Sequence, residues 1–580
     1  MNKKGSSVVI ANNDVVYLWW SVPRKIKDCL GFSIHRVVNQ VEDPKGLYAT
    51  VGFGVKTDKR KSPQTTDEWP IQSFNWKDLY APSDKELQYR IYPMIGKWDN
   101  LKLDKKHVII TDTANKTQKF GDVKIIFNRG ILSTQAFSKS GNGKPVTPDS
   151  ARKLITNPTS VWRKRLAGQM LYNFTKFFDR AVAEGGGRYY AALYELSDKG
   201  LIDQLIRNKN TQVILSNTGT DDKTNKAARK QLHAEPNITI YDRMLGSHIG
   251  HNKFVIYADR FGVPKAVLTG STNWTPTGLC GQTNNLVIIE SEPLAQAYKE
   301  YWDKLKADIP DKQGEVLRTW CKDNSFQVKA NQNKTDLKVW FSPNTKQKTK
   351  PAKNPSTPVD MKEVFDRIGK AKESVLFLLF NPGKPSIVDE IKTIAAKRPA
   401  NKPLFVRGAI SDAATARQAT TNIFSTDILA RPDTYYEARI TGVAAIPGPF
   451  SYFEAELLKI GFATIHDKIV VIDPFGTNPI VITGSHNLGY AASYKNDENM
   501  VIIEDKAIAA AYTAHVLDVV NHFKWRYKLQ KKVIDAKAKT LAEKKKALQK
   551  GWNDLDEYDK WMNYYFNTNG FINRDKFILK

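Results

Sequence analysis

The sequence predicts an α/β protein of two halves built on one plan, preceded by an all-β sandwich and followed by a helical tail. Three observations carry that reading. First, a segment reading His251-Asn252-Lys253 and then Gly270-Ser271-Thr272-Asn273 returns 215 residues later as His466-Asp467-Lys468 and Gly484-Ser485-His486-Asn487. Second, each copy closes on the same apolar strand, Val287-Ile288-Ile289-Glu290 in one and Val501-Ile502-Ile503-Glu504 in the other. Third, the first 120 residues and the last 50 or so differ in texture from the repeat between them. A chain of 580 residues exceeds what one core holds, so several domains are expected. We place them at residues 1–120, 121–325, 326–528 and 529–580.

In the first of these, short Val-, Ile-, Tyr- and Trp-rich segments recur between polar turns: Val15–Ser21, Gly31–Val38, Leu47–Gly54, Leu87–Pro93 and Val108–Thr111. Regular short strands without helical periodicity predict a sandwich. Trp19, Trp20 and the strand around Tyr89-Arg90-Ile91-Tyr92 resemble a fibronectin type III module. From residue 122 strands and helices alternate. Val123–Phe127 reads as a buried strand, 160–183 as a helix, and Tyr189–Leu193 and Val213–Leu215 as strands. The second half repeats this with strand Leu337–Phe341, a helix over 359–371, strands Val375–Phe380 and Leu404–Val406, and an insertion at about 410–460. Such alternation predicts a mostly parallel sheet covered on both faces. The tail holds nine lysines and two acids between Lys528 and Lys550, then Trp552, Tyr558, Trp561, Tyr564, Tyr565 and Phe566. Leu541, Leu548 and these aromatics are expected to dock on the body, with the lysines in solvent.

Composition narrows the function classes. Hydrophobic content of 41% excludes global disorder, and 88 Lys and Arg against 60 Asp and Glu give a net charge of +28. Such an excess fits a polyanionic partner, nucleic acid or an anionic membrane surface. The loop after Phe341 carries Lys346, Lys348, Lys350 and Lys353 with no acid before Val359, beside the strand edge where α/β sheets bind ligands. Cys29, Cys280 and Cys321 have neither disulfide nor metal-ligand spacing. No cofactor or metal is expected. No run reaches the roughly 18 apolar residues of a membrane span, and the apolar N-terminal run is too short for a secretory signal. A cytoplasmic protein is expected, and leaderless export is compatible with the same sequence.

The repeated residues suit a phosphodiester. One imidazole can attack phosphorus while a second protonates the leaving oxygen. Lysines and Ser/Asn donors neutralise the phosphate oxygens, so no metal is required. His251, Lys253, His466 and Lys468 are the candidate catalytic residues, and Ser271, Asn273, Ser485 and Asn487 the candidate phosphate ligands. His248 and His486 read as supporting or surface residues.

At these positions the chain resembles the phospholipase D superfamily, over roughly residues 122–528. Its signature is His-x-Lys, four residues, Asp, then Gly-Ser/Gly-x-Asn. The second copy matches fully, with Asp473. In the first copy the aspartate is Asp259, one residue late, with Ala258 at the expected place. A slip of one turns a strand residue to the other face unless a bulge absorbs it. The resemblance implies two halves meeting about a pseudo-two-fold axis at one cleft, and a structural aspartate in each. It also implies a downstream group orienting each histidine. Aligning the closing strands gives Glu498 that role for His466, and Asn284 for His251. His466 then becomes the more basic, protonated acid, and His251 the nucleophile. The expected activity is a metal-independent phosphodiesterase working through a phosphohistidine. Nucleic acid is favoured over phospholipid; a phospholipase or phospholipid transferase at an anionic membrane is the alternative. A non-catalytic binding protein is the third reading.

Overall fold

The structure is a computed structural model describing residues 5–54, 63–130, 148–219, 222–399, 402, 404–411, 440–442, 465–535, 543, 554–567, 570–571 and 578–579. It divides into two compact units, residues 119–524 and a second made of 1–118 together with 525–580.

In the latter unit the strands are β1 Ser7–Ala11, β2 Val16–Trp20, β3 Cys29–Val38, β4 Val41–Glu42, β5 Tyr48–Ala49, β6 Gln64–Thr65, β7 Asn75–Asp78, β8 Glu86–Lys97, β9 Asn100–Leu103, β10 Ile109–Ile110 and β11 Ala114–Asn115. One sheet runs β1-β2-β7 and another β10-β8-β3-β4. Val16, Leu18 and Trp20 alternate with Phe32 and Ile34 of the facing strand in one apolar core. Trp19 and Trp20 are both fully buried core residues. The expected strand over Leu47–Gly54 reduces to β5, and β1, β7 and β9 come in addition.

The C-terminal aromatics belong to this same unit. Trp561 donates its indole N–H to the Cys29 carbonyl at 2.9 Å, and Tyr565 packs edge-on against Phe74 at 4.9 Å. Lys25 pairs with Asp559 at 3.1 Å, and Met562 is buried in the sandwich core. The expected docking of these rings is therefore on the β-rich unit, not as a separate fourth domain. Leu541, Leu548 and Trp552 lie outside the described residues.

The larger unit holds β12 Lys119–Phe120, β13 Val123–Phe127, β14 Gly187–Leu193, β15 Thr211–Ser216, β16 Ile238–Arg243, β17 Lys253–Asp259, β18 Pro264–Gly270 and β19 Asn285–Glu290. It continues with β20 Ser325–Ala330, β21 Thr335–Ser342, β22 Ser374–Leu379, β23 Phe405–Ile410, β24 Ile440–Gly442, β25 Lys468–Ile472, β26 Ile480–Gly484 and β27 Glu498–Glu504. They form two eight-stranded sheets, β12-β13-β19-β18-β17-β14-β15-β16 and β20-β21-β27-β26-β25-β22-β23-β24, with the same connectivity.

The expectation of mostly parallel sheets is corrected. In each sheet only two neighbouring pairs are parallel, β14–β15–β16 and β22–β23–β24; the rest are antiparallel. Helices Lys199–Arg207 and Lys226–His233 carry the parallel crossovers, whereas β17 turns into β18 over four residues and must pair antiparallel. The helix expected over 160–183 is two, Val161–Ala167 and Met170–Ala183, parted by Gly168 at φ +57°. That conformation suits glycine and ends a helix. Most of the insertion at 410–460 lies outside the described residues.

One apolar cluster contains faces of both sheets together with helix Glu292–Ala307 and the start of helix Lys506–Asp535. Val255, Tyr257 and Leu268 pack on the other face of the first sheet, Val470, Ile472 and Ile482 on that of the second. A β-strand shows alternate residues to opposite faces, so strands buried on both sides read as continuous apolar runs. Among the described residues no helix is long and apolar enough to cross a membrane.

Candidate active site

His251 and His466 sit two residues before β17 and β25, and each is followed on the strand by its lysine. Lys253 Nζ donates to the His251 carbonyl at 2.6 Å, and Lys468 Nζ to the His466 carbonyl at 2.6 Å. All four side chains are buried. The residue just after the neighbouring strand, β14 or β22, covers each pair with a ring. Tyr194 lies 4.9 Å from the His251 ring and 5.1 Å from Lys253 Nζ. Phe380 stands 4.9 Å from His466 and 5.1 Å from Lys468 Nζ. An ammonium over a ring face is attracted by the π quadrupole, which partly replaces lost water.

The orienting groups are the main correction to the sequence reading. Glu498 accepts from His251, not His466: Nδ1 lies 2.9 and 2.8 Å from its two oxygens. Asn284 serves His466, whose Nδ1 is 2.9 Å from Asn284 Oδ1 and 3.0 Å from the Ser271 carbonyl. The reason is backbone pairing between the halves. Ile249 bridges to Asn496, and Asp497 N–H donates to the Ile249 carbonyl at 3.0 Å, which carries Glu498 to His251. Thr283 bridges to Ile465, and His466 N–H donates to the Thr283 carbonyl at 3.1 Å, which carries Asn284 to His466. Arg243 locks the first crossing by donating to Asp308 at 2.9 Å and to both oxygens of Asp497, all deeply buried.

Carbonyl and carboxylate oxygens only accept, so both Nδ1 atoms carry their proton and Nε2 is the reactive nitrogen of each ring. Burial pushes His251 down from 6.5 to about 4, with Glu498 opposing and Lys253 adding to the fall. His466 is driven well below its ordinary value by burial and then by Lys468 and Lys253, with no carboxylate to oppose them. His251 is thus the more basic of the two, opposite to the expectation. Lys253 falls from 10.5 to about 7 and Lys468 well below its usual value, chiefly from burial. Burial works to raise Glu498, but contact with His251 and then Lys253 outweighs it and holds the carboxyl low.

The Gly-Ser-x-Asn turns close each copy. Gly270 has φ +138°, and a Cβ there would meet the Asn285 carbonyl at 2.3 Å; Gly484 has φ +127°, with Asn499 O at 2.4 Å. Only glycine fits. Ser271 Oγ donates to Asn284 Oδ1 at 2.9 Å and accepts from Asn285 N–H at 3.0 Å. Ser485 Oγ accepts from Asn499 N–H at 3.0 Å. Both hydroxyls are therefore engaged with the closing strands. Among the described residues Asn273 Oδ1 and Asn487 Oδ1 are buried without a partner.

The two aspartates do different work. Asp473 accepts backbone N–H groups of Lys372, Glu373 and Ser374 at 2.6–2.8 Å, fixing the start of β22. β17 pairs with β14 without a break from Lys253 to Asp259, so the extra residue of the first copy is not absorbed within β17; the register shift at Tyr257 and Ala258 skips Lys265 of β18. Asp259 instead caps its own hairpin, accepting from Phe261 and Val263 N–H at 2.9 Å. His248 Nδ1 donates to Gln313 Oε1 at 2.6 Å. His486 is buried, 3.0 Å from Ser493 Oγ, which donates to Asp360 at 2.9 Å. In the basic loop Lys348 donates to the carbonyls of Asp311 and Lys312, and Lys350 to that of Lys384.

Three residues near the pairs escaped the sequence reading: Tyr194, Phe380 and Glu195. Glu195 follows Tyr194 and accepts from Asn273 Nδ2 at 2.5 Å. Burial raises its pKa, partly offset by Lys253, Asn273 and Lys468. Their signal was positional, at the carboxyl end of the strand hydrogen-bonded to each His-x-Lys strand. Among the described residues no group of three or more His, Cys, Asp or Glu could hold a metal ion.

Comparison with known proteins bears on the same segments. A family model described as cardiolipin synthase, PLD-like domain, matches residues 175–306 and 364–519. A phospholipase D of Rickettsia felis is 31% identical over 204 residues, covering 33% of this chain and 98% of that protein. One from Rickettsia prowazekii is 27% identical over 200 residues, covering 32% and 93%. Among solved structures, phosphatidylserine synthase of Haemophilus influenzae Rd KW20 aligns at TM-score 0.39 and 14% identity, over 66% of this chain and 93% of that one.

Proposed function

The chain belongs to the phospholipase D superfamily and is a phosphodiester-cleaving hydrolase of that kind; from this premise we propose that it works without a metal, through a phosphohistidine on His251. The observation that carries the reading is the crossed pair: two buried imidazoles with Nδ1 held and Nε2 reactive, one on a carboxylate and one on neutral acceptors.

The difference assigns the roles. When His251 Nε2 attacks phosphorus, its ring gains positive charge, which Glu498 stabilises. His466, without a carboxylate, is the stronger acid once protonated and passes its Nε2 proton to the leaving oxygen as the P–O bond breaks. Water then attacks the phosphohistidine, giving its proton to His466, and the P–N electron pair returns to His251. These proposed roles match those expected from sequence, but rest on the opposite polarity. Lys253 and Lys468 neutralise the equatorial oxygens, helped by the side-chain N–H groups of Asn273 and Asn487. Ser271 and Ser485 support the turns, and Ser271 also holds Asn284. Asp259 and Asp473 are structural.

For the substrate we put nucleic acid first, supported by the net charge of +28. Phospholipid is the second reading, favoured by relatives that are named phospholipase D. The β-rich unit is read as a fibronectin type III-like module. Cleavage of single- and double-stranded DNA, and of anionic phospholipid vesicles, in excess EDTA with His466→Ala as control tests both. Histidine-dependent DNA cleavage supports the nuclease; headgroup release alone moves the assignment to phospholipid; inactivity on both contradicts the proposed chemistry.

A further inference from the structure

The strand registers equate positions across the two halves. Leu193 pairs with Lys253 and Leu379 with Lys468, so Tyr194-Glu195 corresponds to Phe380-Asn381. Gly270 pairs with Leu286 and Gly484 with Met500, so Asn284 corresponds to Glu498. Each half thus carries one carboxylate and one amide at these two positions, in opposite places: Glu195 and Asn284 in the first, Asn381 and Glu498 in the second. The half whose orienting group is neutral has its carboxylate on the neighbouring strand end.

Glu195 is firmly placed. Asn273 donates to its carboxylate, Trp274 N–H donates to its carbonyl at 3.1 Å, and Leu196 bridges to Trp274. It is therefore pinned to the same turn as a candidate phosphate ligand. A carboxylate beside a phosphodiester site repels the substrate, so its presence needs a compensating role. The charged and titratable groups around it are Lys253 from β17, Lys468 from β25 and Tyr194 on its own segment. Glu498 acts on the same two lysines, and those lysines bear on both histidines.

We propose that Glu195 is a positioning residue of the site: held by Asn273, it is the counter-charge that keeps the buried Lys253–Lys468 pair cationic, in place of the carboxylate absent at Asn284. The charges of Lys253 and Lys468 are matched by Glu195 and Glu498 while both histidines are neutral; Asp467, which also acts on Lys468, is paired with His515 at 2.9 Å. A bound phosphodiester anion together with a protonated His466 leaves this match intact. The two lysines have lost much of their proton affinity to burial, and both carboxylates oppose that loss. This rests on the phosphodiesterase reading above.

The test compares wild type, Glu195→Gln and Glu195→Asp in EDTA, with bis(p-nitrophenyl) phosphate for turnover and orthovanadate for binding, from pH 5.5 to 9. Glutamine keeps an oxygen for Asn273, and melting temperature verifies the fold. We expect the alkaline limb of kcat/KM in Glu195→Gln to move down by about one pH unit, with a loss approaching ~10-fold at pH 8. Vanadate should bind this variant at least as tightly as wild type at pH 6 and more weakly at pH 8. Glu195→Asp, which retains the charge, should keep the wild-type limb. Parallel pH profiles for turnover and binding in wild type and Glu195→Gln overturn the role of Glu195. A wild type that binds vanadate but never turns over the ester overturns the catalytic reading instead, and the binding profiles still decide on Glu195.

Discussion

The two motif copies put the same histidine and lysine on matching strands, under a ring at the same distance, yet differ in what holds the imidazole. In the first copy a buried carboxylate grips His251 with both oxygens; in the second an amide and a backbone carbonyl grip His466. Both rings are fixed in orientation, so the difference is one of charge. It separates two roles that duplication would otherwise leave interchangeable. A nucleophile profits from a partner that stabilises the cation it becomes, and a proton donor profits from one that does not.

Substitutions at the histidines and their holding groups test this asymmetry. The largest effect is expected for His251→Ala, which should remove turnover on every substrate, at least 10⁴-fold, with an unchanged circular dichroism spectrum. Next, Glu498→Gln should lower kcat by roughly 10²–10³-fold, since a charge vanishes while the shape remains. Asn284→Ala should cost only about tenfold. Steady-state kinetics of the two give the asymmetry directly, and equal losses would remove the basis for distinct roles.

Stability should respond in the opposite direction. The Lys253 ammonium is disfavoured in the folded protein, its pKa lowered from 10.5 to about 7. The unfolded chain therefore binds that proton more tightly, and the resulting penalty grows as pH falls from 10.5 to 7, then stays constant. Lys253→Met should raise the melting temperature by a few degrees at pH 7, less at pH 10, while abolishing activity. His251 has the same sign over another window. Its pKa falls from 6.5 to about 4, so stability is lost progressively as pH drops through that range. Scanning calorimetry of wild type and His251→Asn between pH 7 and 4 should show a shallower fall in the variant. The smallest contrast is between the aspartates. Asp473→Ala leaves three backbone donors without their acceptor and should cost about 3 kcal/mol by denaturant titration, whereas Asp259→Ala loosens only a hairpin and should cost less.

Much of the site was legible because it was duplicated. Two His-x-Lys pairs and two Gly-Ser-x-Asn turns identified residues that the fold assembles in pairs, and the closing Val-Ile-Ile-Glu strands fixed their registers. The crossing of Glu498 and Asn284 was not legible. Alignment within one copy equates the two residues but says nothing of which half each faces, and the bridges of Ile249 to Asn496 and Thr283 to Ile465 decide that. Parallel sheets were expected from alternating elements, yet the four-residue turn from Asp259 to Pro264 already required an antiparallel pair. Asp259 looked merely late; only its hydrogen bonds from Phe261 and Val263 N–H show that it caps its own hairpin. Glu195 belongs to no motif and emerges only when strand ends are compared.

The division of labour is tested most directly by the pre-steady-state reaction of His466→Ala with a p-nitrophenyl phosphodiester, whose leaving group needs no proton. The expected result is one equivalent of p-nitrophenolate per protein in a burst, followed by a stall because no base activates water, and no burst from His251→Ala. A burst from His251→Ala and none from His466→Ala would contradict it and exchange the two roles.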